Sequence, residues 1–514
     1  MRTYDVIVIG GGHNGLTAAT ILANKGNKVI VLEKRELLGG VAAGEEFYPG
    51  YSTTGLLHDT SGVRSEVIKE LHLEKYGLEV DHHRSEVAIL SKDGKTVTIS
   101  PDKEATAGAI AQFSNHDAEA YKTYREFIKK ISKVINDLMD HPPPNIDVEN
   151  LTMASLVVLA KKGMMLKGLG NKTMMELLKV APMCVADFLN EKFETDFLKA
   201  GIAAPALYGA YAGPWSAYTS INLLLWECAS RNSIKGGPQA LVDALQKAAA
   251  EAGVEIRTGT EVERIVLDEH GAVSGVRLIG GEEISATKVA ASCTPKETFL
   301  NLFDDFELEY GLNYWIDKIR SRGTTAKVNL AISRQVDLNG ERVEFARTGN
   351  SFDEMEKAFD PVKYREVTDT PFLDIHIPTI TDPSLAPEGH SIISVLVHQI
   401  PYAFEAGWTA EAKKKLGDDV IKELEIYSPG IADAVVGMEV LSPADFEERY
   451  TLTEGHIYHG EHFVDQLITR PIPSCARYGT PVTGLYLCGS GSHPGGGITC
   501  APGIMAASEI LKSN

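Results

Sequence analysis

Gly10, Gly12 and Gly15 stand in the pattern G-x-G-x-x-G within Gly10-Gly11-Gly12-His13-Asn14-Gly15, a spacing suited to holding a pyrophosphate. Gly10 permits a tight turn, Gly12 lets a phosphate approach the backbone, and Gly15 lets a helix pack closely on a strand. Glu33, 18 residues after Gly15, can accept hydrogen bonds from ribose hydroxyls. His13 and Asn14 inside the loop and Lys34 after the acid complete this first set of cofactor contacts. The elements that must position them are legible. The apolar run Asp5-Val6-Ile7-Val8-Ile9 predicts a strand buried on both faces, 16–25 a helix ending before Gly26, and 29–32 the next strand. Strand, glycine turn, helix, strand and acid in that order predict a dinucleotide site, without distinguishing NAD from FAD.

The far end of the chain makes that distinction. Residues 484–489 read as a strand ending in Gly489, 490–499 as a glycine-rich turn containing His493-Pro494-Gly495-Gly496-Gly497, and 502–511 as a closing helix. A second strand–glycine–helix unit suits FAD, whose length reaches from the first phosphate site to a second helix N-terminus beside the isoalloxazine. Gly489, Gly497 and Ile498 are the expected contacts there, and the helix end can stabilise negative charge on the reduced ring. No other complete G-x-G-x-x-G occurs, so a built-in NAD(P) domain is not expected.

Other residue types could act on a substrate. His456, His459 and His462 recur every three residues beside Glu454, Glu461 and Asp465. Gly455 and Gly460 break the helix that would align them as ligands, so no metal is expected and His459 is placed in the wall of the substrate cavity. Cys500 sits near a helix N-terminus, where a thiolate is favoured, or is a small buried residue. His58 faces the substrate entrance or is a loop histidine. Residues 200–226 carry no charge and crowd Tyr211, Trp215 and Tyr218 together, either as core or as the wall of a large apolar pocket.

The segments YDVIVIGGGHNGLTAA…VIVLEKRELLGG and GLYLCGSGSHPGGGIT…PGIMAA resemble the phytoene desaturase-like FAD-dependent oxidoreductase family, in particular its carotenoid ketolase-type branch. KGGPQALVDAL, IPTITDPSLAPEGHSIISVLV and GHIYHGEHFVDQLITRPIP extend the resemblance over nearly the whole chain. It implies an α/β fold: a glutathione-reductase-like Rossmann FAD-binding domain built from separated segments, with an inserted α+β substrate domain. It also implies that Gly39 and Gly40 form a second glycine pair after the acid, that the backbone of Val262 meets the adenine, and that His493 lies against the isoalloxazine as a catalytic candidate. Where the family usually carries glycine, this chain has Cys500.

Composition sets the outer limits. The 514 residues carry 50 Lys+Arg against 70 Asp+Glu, a net charge of -20, which argues against nucleic acid as a partner. The six cysteines include no C-x-x-C, which removes dithiol relay chemistry and leaves a flavin as the redox centre. The start of the chain reads as a strand rather than a targeting peptide, and no apolar run spans a bilayer. The expected location is cytoplasmic, peripheral to the inner face of the membrane if the basic, Met-rich stretch 161–179 dips into lipid; an ordinary solvated lysine face is the alternative. The expected organisation is an FAD-binding domain from 1–77, 231–300 and 455–514, with a substrate domain from 78–230 and 301–454. The expected function is oxidation of an apolar or amphipathic organic substrate by hydride transfer to flavin N5, with oxygen, a quinone or another acceptor taking the electrons. Two alternatives stand beside it: a redox-neutral flavin-dependent isomerase or hydratase, and a non-catalytic flavoprotein acting as an interaction or lipid-carrier protein.

Overall fold

The apolar run near the N-terminus becomes the strand Thr3–Ile9 at the middle of a mixed sheet, with Val6 and Val8 wholly buried. The computed structural model describes residues 3–144, 153–229, 231–304 and 307–513, the side chains of 153–156 excepted. Thr3–Ile9 pairs in parallel with Val29–Leu32 on one side and Glu283–Ala291 on the other, so that Val8 faces Val31 and Ala290. Glu255–Arg257 extends the parallel set beyond Val29–Leu32, and Leu485–Leu487 extends it along the second half of Glu283–Ala291. The first half of that long strand instead joins an antiparallel meander with Val273–Leu278 and Val262–Leu267. The sheet therefore gathers strands from three distant stretches of the chain. Helices His13–Asn24, Gly237–Glu251 and Ala501–Lys512 pack together against it.

A second seven-stranded sheet runs in the order Val435–Leu441, Thr325–Ile332, Ser391–His398, Leu373–His376, Phe345–Arg347, Val87–Leu90, Thr96–Ile99. Its last pair is a hairpin, with Val87 opposite Ile99. Thr325–Ile332 and Ser391–His398 are buried along their full length, covered on both faces. A helical layer holds Met153–Gly168, Gly170–Val180, Val185–Asn190, Asp196–Ala203 and Thr219–Ala229. Gly170, at φ +76, separates the first two.

An ion cluster anchors this helical layer. Arg84 (2.8 Å) and Arg125 (2.5 Å) both donate to Oε2 of Glu227, and the Tyr124 hydroxyl donates to Oε1 at 3.1 Å. Burial opposes the Glu227 charge, but the two guanidiniums prevail and hold its pKa down at about 2. Glu227→Gln should lower stability in urea unfolding by about 3 kcal/mol, because two arginines then lose their counter-charge. An unchanged unfolding midpoint would count against the cluster as an anchor.

Candidate active site

The glycine loop opens onto a groove of about 930 Å³, solvent at its mouth included. Gly10, Gly12, His13, Asn14, Glu33 and Lys34 line it, as the spacing around the glycine loop predicts, and so do Gly40 and Val262, which the family resemblance implies. Gly10 turns at φ +96. A Cβ on Gly15 would lie 2.1 Å from the Gly10 carbonyl oxygen, so the absence of a side chain is what lets helix His13–Asn24 approach the turn. Gly39 does not reach the groove itself; its N–H donates to the Gly11 carbonyl at 2.8 Å and braces the loop from behind. Gly489 also stands behind the wall, where a Cβ would meet the Ser292 oxygen at 2.3 Å. Lys34 lies at the rim and pairs with Glu261 at 2.9 Å.

The groove suits an anionic dinucleotide. Helix His13–Asn24 begins at Gly12 with no side-chain cap and no acid in its first turn, leaving its first N–H groups and the positive end of its dipole facing the groove. Glu33 accepts from the Gly11 N–H at 2.6 Å and the Arg35 N–H at 2.9 Å, which orients its carboxylate at the groove wall. His13 Nε2, Asn14 Oδ1 and His459 Nδ1 are buried polar atoms without a protein partner. A Cβ built on Gly12 would find only the Gly40 Cα, at 4.0 Å, leaving room for a ligand to run past it.

A second cavity, of about 1080 Å³ including its open side, lies against the C-terminal turn. Gly497 and Ile498 form one wall of it, together with Pro494, Gly496 and Thr499. His13 joins the two spaces: it lines the groove, and its ring lies beside the backbone of Gly497, which lines the second cavity. His58, Asp374, Tyr208, Trp226, Leu396 and Tyr458 also line it. His58 Nε2 lies 3.0 Å from Asp374 Oδ2, and Arg347 approaches the other carboxylate oxygen to 3.8 Å. Burial opposes the Asp374 charge, yet His58 and Arg347 hold its carboxyl well below the usual carboxylate range. His58 Nε2 faces the Asp374 carboxylate, and its Nδ1 is a buried atom without a protein partner.

These groups come from a polar face of the second sheet. Lys327, Leu396, Asp374 and Arg347 are directly opposite one another on successive strands and therefore share a face. Lys327 is fully buried, its Nζ has no hydrogen-bond partner, and burial lowers its pKa to about 7 against the pull of Asp374 and Glu439. His398 is stacked between Tyr208 (4.4 Å) and Phe372 (4.8 Å). This row was not among the expected site residues. The available signal was the alternation of Lys327 with Asn329, of Asp374 with His376 and of Ser394 with His398 inside otherwise apolar strands.

Several expectations are corrected. Tyr211, Trp215 and Tyr218 line neither cavity. Gly209 (φ +64) and the Gly213-Pro214 turn redirect the chain, so Tyr211 packs under Arg322 at 4.0 Å while Trp215 and Tyr218 stand about half exposed. The cavity takes Pro205, Tyr208, Asn222, Leu225 and Trp226 from that segment instead. His459 lines the cofactor groove rather than the substrate cavity. His493 reaches neither space: its Nε2 lies 3.0 Å from the Leu138 carbonyl, and burial lowers its pKa to about 4, so it ties the C-terminal turn to the long helix Asn115–Met139. Cys500 is buried in the core, where desolvation pushes its thiol up to about 12 and outweighs the helix end. Its φ of +58 is a conformation that glycine adopts more readily.

The histidine triplet is held by amides. His456 Nδ1 accepts from the N–H groups of Tyr458 and Gly460, and His462 Nε2 accepts from that of Gly496 at 3.0 Å. His462 and Tyr458 are stacked at 5.0 Å and both line the substrate cavity. Arg470 lies beside them, its guanidinium donating to the carbonyls of Tyr458, Gly460, Glu461 and Ser490. That uncompensated cation repels a metal ion as it does the imidazolium forms of His456 and His459.

Comparison with known proteins agrees with this geometry. Residues 15–510 match the family model described as flavin containing amine oxidoreductase. Pyridine nucleotide-disulfide oxidoreductase domain-containing protein 2 of Rattus norvegicus is 31% identical, over 99% of this chain and 93% of its own length. A phytoene desaturase (neurosporene-forming) of Rhodobacter capsulatus is 25% identical, over 98% and 92% respectively. Among solved structures, an oxidoreductase from Methanosarcina mazei superposes with a TM-score of 0.61 at 16% identity, covering 99% of this chain and 100% of that one, a likeness of fold.

Proposed function

The chain belongs to the flavin-containing amine oxidoreductase family and is an FAD-dependent oxidoreductase, and from that premise we propose that it dehydrogenates an apolar or amphipathic organic substrate held in the cavity between Gly496–Thr499 and His58. Bound FAD supplies the hydride acceptor. The five parallel strands and their antiparallel meander support a glutathione-reductase-like description of the cofactor domain, assembled from 1–77, 231–300 and 455–514. The amides after Gly12 would take the pyrophosphate, Glu33 the ribose, and the backbone of Val262 the adenine.

The observation that carries this reading is the second cavity itself. Its lining is mainly apolar, from Leu57, Met139, Pro205, Leu225, Leu396, Ile457 and Leu467, and its polar groups include the His58–Asp374 pair. A substrate that loses a hydride from one carbon must lose a proton from its neighbour or from an attached heteroatom to form the double bond. His58, which lines the cavity, would accept that proton, with Asp374 holding the ring and stabilising the resulting imidazolium. Arg347, over Trp226 at 4.7 Å, helps keep Asp374 ionised.

The test is anaerobic bleaching of the bound flavin. Long alkenes or amphipathic alcohols should bleach it, and short primary amines should not; the reverse preference would overturn the substrate class. His58→Ala should keep its FAD and slow bleaching about 100-fold, the lower range for loss of a general base. Wild-type bleaching in that variant would remove His58 from the reaction.

A further inference from the structure

His58 is only 3% exposed, yet it lines two separate spaces. One is the substrate cavity. The other is a groove of about 830 Å³, solvent at its mouth included, between the second sheet and the short strands Val80–Asp81 and Ser233–Ile234. The loop 58–61 divides the two: Asp59 and Ser61 line the cavity, Thr60 lines the groove, and His58 lines both. No other described residue is shared between them.

The two spaces differ in chemistry. The cavity is mainly apolar, whereas the groove carries Glu79, Asp81 and Glu344 against the single cation Lys235, which pairs with Glu79 at 2.8 Å. Asp81 and Glu344 have no Lys or Arg partner among the described residues, so two negative charges remain. Glu344 Oε1 accepts from the Thr381 hydroxyl at 2.9 Å and lies 3.4 Å from His376 Nε2. His376 stacks on Phe345 at 4.5 Å, its ring 5.2 Å from that of His58. Burial lowers the His376 pKa to about 4, so this ring adds no positive charge beside His58 at neutral pH. Toward the sheet His58 meets Asp374, on which Arg347, Lys327 and His398 also act. Unpaired carboxylates around a groove open to solvent favour protons and small cations there.

We propose that this acidic groove is the outlet for the substrate's proton: His58 takes the proton from the cavity and gives it to solvent in the groove. The inference rests on the reading of His58 as the base. An apolar substrate filling the cavity excludes water from it, so the ring has no solvent acceptor on that side while substrate or product is bound. Imidazole is the side chain suited to passing a proton between two spaces. As the hydride leaves the substrate with its electron pair for bound FAD, the proton on the neighbouring atom adds to the neutral ring. The imidazolium N–H then breaks toward a water in the groove, its electron pair stays on nitrogen, and the neutral ring is restored. Asp81 and Glu344 draw the released proton outward.

Two readouts test the outlet apart from the base. The first is histidine C2 hydrogen–deuterium exchange in the FAD-loaded protein, followed by mass spectrometry without substrate. Ser85→Trp and, separately, Ser233→Trp put an indole into the groove and touch no residue of the cavity lining named above. Each should slow exchange at His58 at least about fivefold and leave that of His493, which reaches neither space, unchanged. The second readout uses a long-chain alcohol as substrate and dichlorophenolindophenol as electron acceptor. Both variants should bleach like the wild type in the first anaerobic turnover and slow about tenfold in steady turnover, because proton release then limits the rate. An intact flavin spectrum in each variant separates a blocked groove from a lost fold. His58 exchange that neither substitution slows, or full steady turnover in a variant whose exchange has slowed, would overturn the outlet. Wild-type bleaching by His58→Ala would instead remove the base itself, whatever the exchange shows.

Discussion

Gly15→Ala should purify with less than about a tenth of the wild-type FAD and lose about 3 kcal/mol of stability. The new Cβ would sit 2.1 Å from the Gly10 oxygen and 3.4 Å from the Ser292 Cβ. Both the glycine turn and the helix are backbone, so no rotamer relieves the contact; the helix must move outward by roughly an ångström. That movement carries away the helix N-terminus that would hold the pyrophosphate. Gly12→Ala isolates the cofactor contribution. Gly12 has φ -68, which alanine adopts freely, and its Cβ direction points into open groove. The apo protein should keep its melting temperature while its FAD affinity, read by fluorescence titration, falls at least about tenfold, the methyl group occupying the space where a phosphate approaches the backbone. Equal FAD affinity in Gly12→Ala would place the cofactor elsewhere.

Acidification should unfold the protein near pH 5, well above the range where carboxylates titrate. His13, His376 and His493 have pKa values lowered to about 4, and His398 and His456 to about 3, chiefly through burial. All five are at most 4% exposed. For His398 and His456, neighbouring cations add to the effect, Arg347 and Lys327 in one case and Arg470 in the other. A histidine whose folded pKa lies below its unfolded value gives full stability above about pH 6.5, and loses it as pH falls, because the unfolded chain binds the proton first. Each such group costs about 1.4 kcal/mol per pH unit below that point, so five together reach about 7 kcal/mol per unit, comparable to the whole stability of a domain. Urea unfolding followed from pH 7.5 downward should show a steep fall beginning near pH 6. A flat profile down to pH 4.5 would mean that these rings protonate inside the native structure.

How much of this was legible in the chain follows from distance along it. Gly10, Gly12, Gly15 and Glu33 lie within one strand–turn–helix–strand unit, whose geometry is set by local sterics. There the spacing of residue types determined the nucleotide groove, and the glycine-rich C-terminal turn likewise marked the wall where the cofactor and the substrate cavity meet.

Only the tertiary structure decided which side chains line the second cavity. His58 and Asp374 are 316 residues apart, and Asp374 meets Lys327 and Arg347 only through the pairing order of four strands. A residue's type says nothing about that order. The same limit explains the misplaced aromatics: Gly209 and the Gly213-Pro214 turn aim Tyr211, Trp215 and Tyr218 away from the cavity, and a positive φ cannot be read from an uncharged stretch. His493 and Cys500 stood in the right segment, but burial took the first to a carbonyl of the long helix and raised the thiol of the second. Local spacing therefore determined that the chain holds a flavin nucleotide. Long-range strand pairing and desolvation, which act between residues hundreds of positions apart, decided which groups are left beside it to do chemistry.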